Sequence, residues 1–281
     1  MKLHSYDVSF GYTHTDPVII KIDLDFKEPG LICILGPNGV GKSTLVRCMN
    51  KLLTPTEGEV VLDDKGISEY TLRELSKTMS FVPASSSNTF SMTVLDTILM
   101  GRQPFQKIGS EKEDVHIVYD IMKQLNITDL AMRNYNELSA GQHQKVSIAR
   151  GMAQQPKIFI LDEPTANLDI RHQVQVIDLL HTIAHEKKII VLMISHDLNI
   201  ASRYADEIIM MSSPGIIHCV GQPKDVITED NIRCVYGMNC TIIDDNGRPH
   251  VILGDPLLDE EMEELHKLTF DFKNGDIKPA R

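Results

Sequence analysis

The chain has 281 residues, 42% of them hydrophobic, and 28 basic against 39 acidic residues give a formal net charge of −11. That length suits one large domain or a domain with a lobe, and the acidity makes nucleic acid an unexpected partner. Met1-Lys2-Leu3-His4-Ser5-Tyr6-Asp7 lacks the apolar core of a signal peptide, and apolar runs such as Ile189-Ile190-Val191-Leu192-Met193-Ile194 are strand-sized, so a soluble, cytoplasmic protein is expected.

Residues 1–30 read as β structure, because Val18, Ile20, Ile22, Leu24 and Phe26 alternate with other residues. Tyr12 falls between two strand candidates, where position alone makes it an ordinary turn tyrosine. Leu31-Ile32-Cys33-Ile34-Leu35 is the length of a buried parallel strand. It leads into Gly36-Pro37-Asn38-Gly39-Val40-Gly41-Lys42-Ser43, which fits the phosphate-cradling pattern G-x-x-x-x-G-K-[ST] and runs into a helix over 42–50. A helix start has unpaired N–H groups and a partial positive charge, and glycines let the backbone curl those donors around phosphate oxygens. Lys42 is placed to reach the β- and γ-phosphates and the Ser43 hydroxyl to hold Mg²⁺, while Asn38 and Val40 contribute mainly backbone.

A strand at 58–62, a helix at 72–77 and a core strand at 79–82 follow. Residues 84–150 then read as a helical lobe inserted into an α/β core, with helices around 94–100, 111–125 and 142–154. No heptads run through it, which argues against a coiled-coil arm. The core resumes with Ile158-Phe159-Ile160-Leu161 and Asp162-Glu163-Pro164, a helix over 171–186, the strand 189–194 and Ser195-His196-Asp197. Closing strands at 207–211 and 216–220, a helix at 229–236 and β-like pieces at 240–244 and 249–253 complete a domain over 1–253. Residues 254–281 form a polar tail whose acidic run at 259–264 reads as a solvated helix face. The five cysteines lack zinc-ligand spacing and read as reduced structural thiols.

Alternating strands and helices predict a largely parallel sheet with ligands at its strand carboxyl ends. Lys42, Asp162, Glu163 and His196 all fall at such ends. Asp162 is positioned to support Mg²⁺, Glu163 to polarise an attacking water, and His196 to contact a γ-phosphate or orient Glu163. Leu138-Ser139-Ala140-Gly141-Gln142 is a second small turn opening onto a helix. Two anion sites far apart in one chain suggest phosphate held between two subunits.

Together these motifs, in this order, resemble the ATP-binding subunit of an ABC transporter over about residues 2–253. The resemblance implies an α/β P-loop NTPase (RecA-like) core with an N-terminal antiparallel β subdomain and an inserted helical subdomain. It implies ATP and Mg²⁺ as cofactors and a head-to-tail homodimer. Each ATP would lie between Gly36 to Thr44 of one copy and Ser139, Ala140, Gly141 and Gln142 of the other. Asp169 matches the loop that crosses the dimer interface, and Tyr12 the adenine-stacking aromatic, which replaces its reading as a turn residue. Thr93-Val94-Leu95-Asp96-Thr97-Ile98-Leu99-Met100-Gly101-Arg102, Val235-Tyr236-Gly237 and Gly247-Arg248-Pro249-His250 are similar to segments in importers of iron chelates, haem, cobalamin and, in some cases, molybdate or tungstate. Such importers pair two ATPase subunits with two membrane-spanning permease subunits and an external binding protein, at the cytoplasmic face of the membrane. Two positions depart from the family: Ala140 replaces a usual glycine, and Ala84, after Val82-Pro83, replaces a glutamine that touches Mg²⁺ or water. Alanine has no donor or acceptor for that task, and water, Ser85 or Ser86 is expected to fill the gap. A soluble repair or translation ATPase would carry long arms or two cassettes, and a non-catalytic regulatory module would not need Lys42, Asp162, Glu163 and His196 intact.

Overall fold

Short apolar runs become the central strands of the computed structural model, which describes residues 1–13, 16–84, 92–105 and 111–258. The strands are β1 (Leu3–Gly11), β2 (Pro17–Phe26), β3 (Gly30–Leu35), β4 (Glu57–Leu62), β5 (Lys65–Gly66), β6 (Met79–Val82), β7 (Ile158–Leu161), β8 (Ile190–Ile194), β9 (Glu207–Ser212), β10 (Ile216–Gly221), β11 (Met238–Asp245) and β12 (Arg248–Pro256). The helices are α1 (Lys42–Met49), α2 (Leu72–Leu75), α3 (Val94–Leu99), α4 (Glu111–Gln124), α5 (Ala140–Ala153), α6 (Ile170–Lys187), α7 (Leu198–Tyr204), α8 (Pro223–Val226) and α9 (Glu229–Tyr236).

The central sheet has six strands in the order β10-β9-β3-β8-β7-β6, parallel except for the antiparallel edge strand β10. Its inner strands are covered on both faces, which is why they read as unbroken apolar runs. Leu31, Cys33 and Leu35 of β3 face a core shared with α4, α5 and α6. Ile32 and Ile34 face the opposite core, with α1 and the N-terminal sheet. That N-terminal sheet has the order β2-β1-β4-β5 and is antiparallel, and β11 and β12 form a separate hairpin.

The expected alternation along β2 holds only in its second half. Ile22, Leu24 and Phe26 are buried, but so is Ile19, while Val18 and Ile20 are half-buried. Val8 pairs with Ile22 and Phe10 with Ile19, so β2 carries one extra residue there, and Lys21 takes φ 44°. Such a bulge shifts the phase of the pleat by one residue. Other corrections are boundary shifts. The second helix stops at Leu75, α5 starts at Ala140 and continues to Ala153, and β12 runs to Pro256, past the expected limit at 253. The acidic run at 259–264 lies outside the described residues.

The segment after α3 ties α4 to α5. Arg102 is buried, and its Nε donates to Asp114 Oδ1 at 2.7 Å while Nη1 donates to Ala153 O at 2.8 Å. Gly101 lies so close to α5 that a Cβ would overlap the Arg150 carbonyl oxygen and sit 2.9 Å from Ala153 Cβ. Gly101→Ala is expected to destabilise the protein by about 1–3 kcal/mol through overpacking. Chemical denaturation checks this, and an unchanged midpoint would mean that α5 yields freely.

Candidate nucleotide-binding site

The phosphate loop is shaped by the end of β3 and the start of α1. Gly41 caps α1 with φ 104° and contributes no side-chain hydrogen bond, so the first N–H groups of the helix keep their open donors. A Cβ on Gly41 would lie 2.6 Å from Ile19 Cγ2 and 2.8 Å from Val18 O, so the turn is closed to any side chain. Asn38 and Gly39 are exposed at its crest, whereas Gly36, Val40 and Thr44 are buried. Lys42 is buried, and its Nζ donates to Gly36 O at 2.7 Å and Pro37 O at 2.8 Å. The ammonium has three N–H donors, so one is left for a ligand. Burial pushes Lys42 below the usual lysine range, against the opposing pull of Glu163 and Asp162.

Two further strands bring the acids and the histidine to the same edge. Asp162 follows β7 and accepts from Ser43 Oγ at 3.0 Å through Oδ1. Burial pushes the Asp162 carboxyl up, the Ser43 hydroxyl pulls it down and Glu163 adds a further upward push. Two hard oxygen donors, one carrying a buried charge, suit Mg²⁺. Glu163 adopts φ 49°, the left-handed region, which costs a non-glycine residue about 1–2 kcal/mol and recurs at functional sites. Its Oε1 lies 2.6 Å from His196 Nε2, beyond the end of β8. A cleft of about 460 Å³ opens beside this pair and is also lined by Asn167, Gln173 and Leu253, so the carboxylate is reachable by water.

The remaining expected residues are separate surface features of the chain. Ser139 caps α5 in a reciprocal capping box, with Gln142 N donating to Ser139 Oγ at 3.4 Å and Ser139 N donating to Gln142 Oε1 at 3.0 Å. The anion site expected here therefore has two backbone donors, Ser139 N and Gln142 N, engaged by its own cap. Ser139 and Ala140 are exposed, and Gly141 and Gln142 half-buried. Asp169 caps α6, accepting from His172 N at 2.9 Å, with His172 Nδ1 2.8 Å from Oδ2. That backbone bond, then the His172 side chain, holds the Asp169 carboxyl below the usual range. Tyr12 is 63% exposed and stands perpendicular to the Phe10 ring at 5.1 Å, so much of its ring is open to a ligand. Ala84 is exposed, and Ser85 and Ser86 lie outside the described residues.

Two residues went unassigned in the sequence reading. The His172 ring packs on Gly141, where a Cβ would lie 3.0 Å from its Cδ2, and so joins the Asp169 loop to the start of α5. Its only sequence signal is the cap spacing from Asp169. The Tyr236 hydroxyl on α9 is buried beside the Gly36 backbone and completes no well-formed hydrogen bond. Burial pushes this phenol up, partly offset by Gly36.

Free backbone donors at a helix start, one spare lysine N–H and a serine–aspartate pair on adjoining strand ends define a P-loop nucleotide triphosphatase. More narrowly, the ABC transporter family model matches residues 19–166, and the chain belongs to that family. It is 35% identical to the ferric enterobactin transport ATP-binding protein FepC of Escherichia coli K12, over 92% of this chain and 93% of that protein. It is 36% identical to the hemin import ATP-binding protein HmuV of Escherichia coli O157:H7, over 83% of this chain and 92% of that one. The dimeric structure of a bacterial ABC transporter cassette superposes with a TM-score of 0.70 at 28% identity, covering 78% of this chain and 98% of the cassette. The chain binds ATP and hydrolyses it to drive transport, as a cassette that dimerises and works with membrane permease subunits.

Proposed function

We propose that this chain is the motor subunit of an importer for an iron chelate, acting as a head-to-tail dimer that encloses two ATP molecules. One observation carries the motor reading: Lys42, Ser43 with Asp162, and Glu163 with His196 converge beyond β3, β7 and β8, neighbouring strands of one sheet.

Backbone N–H groups between Gly36 and Thr44 hold the phosphates, and Lys42 reaches the β- and γ-phosphates with its spare donor. Tyr12 offers its exposed ring to adenine. Ser43 and Asp162 would hold Mg²⁺, which when bound neutralises phosphate charge. Glu163 takes the proton of the attacking water, and His196 fixes the carboxylate that does so. Residues 139–142 of a second copy close over the γ-phosphate, and Asp169 lines the seam between copies. The Ser139 cap bond, long at 3.4 Å, is readily exchanged for a phosphate oxygen.

Among the described residues no helix is long and apolar enough to cross a membrane. Attachment to the cytoplasmic face is through two permease subunits, and the external binding protein acts on this chain indirectly. The cargo class rests on the two relatives, whose names specify ferric enterobactin and hemin. Reconstitution with the neighbouring permease and binding protein tests it. Ferric chelate on the binding protein is expected to stimulate hydrolysis several-fold; stimulation by cobalamin or an oxyanion instead would reject the iron assignment.

Ala84 sets the coupling of this motor apart. Ala84→Gln restores a polar group beside the site and is expected to change the hydrolysis rate at least twofold, more in the assembled transporter than alone. No change in either setting would remove position 84 from coupling.

A further inference from the structure

At the opposite end of β3 from the phosphate loop, His181, His185 and Asp206 converge, and their donor atoms lie within 4.8 Å of one another. His181 and His185 are four residues apart on α6, so they share one helix face. Their ring centroids are 4.2 Å apart. Asp206 joins them from the start of β9, across the sequence.

The hydrogen bonds around this group are unbalanced in an informative way. His185 Nδ1 lies 2.8 Å from the His181 carbonyl oxygen, so Nδ1 carries a proton. A neutral ring then presents a lone pair at Nε2. That nitrogen faces Asp206 Oδ1 at 3.3 Å, which is also an acceptor. With the ring neutral, two acceptors face each other at this distance, and a cation between them would satisfy both. The separation fits one: ligands about 2.0–2.1 Å from a tetrahedral ion lie roughly 3.3–3.4 Å apart.

The outer contacts fit as well. Metal-binding histidines usually donate their second ring N–H to a backbone carbonyl, as His185 does here. Asp206 Oδ2 is held by Leu31 N at 2.7 Å, which leaves Oδ1 for the ion. His185 and Asp206 are 46% and 39% exposed, so an ion can enter and water can complete its shell. The His181 donor atom lies within 4.8 Å of the other two and offers the third ligand.

We propose that His181, His185 and Asp206 form a binding site for a divalent late first-row transition metal such as Zn²⁺ or Co²⁺. Two imidazoles and one carboxylate favour that class over Mg²⁺. The site is separate from hydrolysis: Leu31, which anchors Asp206, and Gly36 are about 16 Å apart along the strand. An ion there would clamp the last turn of α6 to the start of β3 and β9.

Cobalt absorption of the full-length, untagged chain in excess Mg²⁺ tests the proposal. One Co²⁺ per chain is expected, with visible bands that Zn²⁺ abolishes. His181→Asn and His185→Asn should each weaken uptake at least tenfold. Zn²⁺ should raise the melting temperature of the wild type and of neither variant, while hydrolysis in Mg²⁺ without added Zn²⁺ stays at the wild-type rate in both. Absence of Co²⁺ uptake would overturn the proposal and leave His185 an imidazolium paired with Asp206. Uptake unchanged in the chain carrying both His181→Asn and His185→Asn would also overturn it by placing the ion elsewhere.

Discussion

Glu163→Gln is expected to lower steady-state ATP hydrolysis at least a hundredfold while ATP still binds, because a positioned general base contributes about 10²–10⁴ in rate. Glutamine keeps the length of the side chain and can still meet His196, now 2.6 Å from Oε1, but it cannot accept a proton from water. The substitution also removes a negative charge that acts on Asp162 and, in the proposed complex, would face the γ-phosphate. Bound ATP should therefore hold two copies together for longer, and gel filtration in ATP should show a dimer. A full hydrolysis rate in this variant would take Glu163 out of the chemistry and leave its left-handed backbone unexplained.

Lys42→Ala should fail earlier, at binding. Nζ now satisfies the Gly36 and Pro37 carbonyls and supplies the loop with its one fixed positive charge. Removal leaves those two acceptors unpaired, at about 1–3 kcal/mol for a buried group. It also relieves the burial penalty on the ammonium, which burial already pushes below the usual lysine range. The unpaired carbonyls and the lost phosphate contact outweigh that relief. ATP affinity is expected to fall at least tenfold, with a lower unfolding midpoint, by calorimetric titration and denaturation. Unchanged affinity would mean that the backbone donors alone carry binding.

The nucleotide loop was legible because its chemistry is local. Glycine spacing, the following lysine and serine, and the apolar run before them share one stretch of about a dozen residues. Asp162 and Glu163 were legible for the same reason, standing at the end of a fully apolar strand. The β2 bulge was not: Lys21 at φ 44° follows from pairing with β1, which periodicity along one strand cannot reveal. The packing of His172 on Gly141 and the meeting of His181 and His185 with Asp206 depend on how α5, α6 and β9 come together. Ala84 was legible only as a missing polar group, because nothing in an alanine says what replaces it.

A crystal of Glu163→Gln grown with ATP and Mg²⁺ tests the shared-nucleotide arrangement most directly. Two copies should face each other head to tail, with the Ser139 hydroxyl of one within hydrogen-bond reach of the γ-phosphate held by the other's Lys42. A structure in which both Ser139 residues stand away from every γ-phosphate would contradict it.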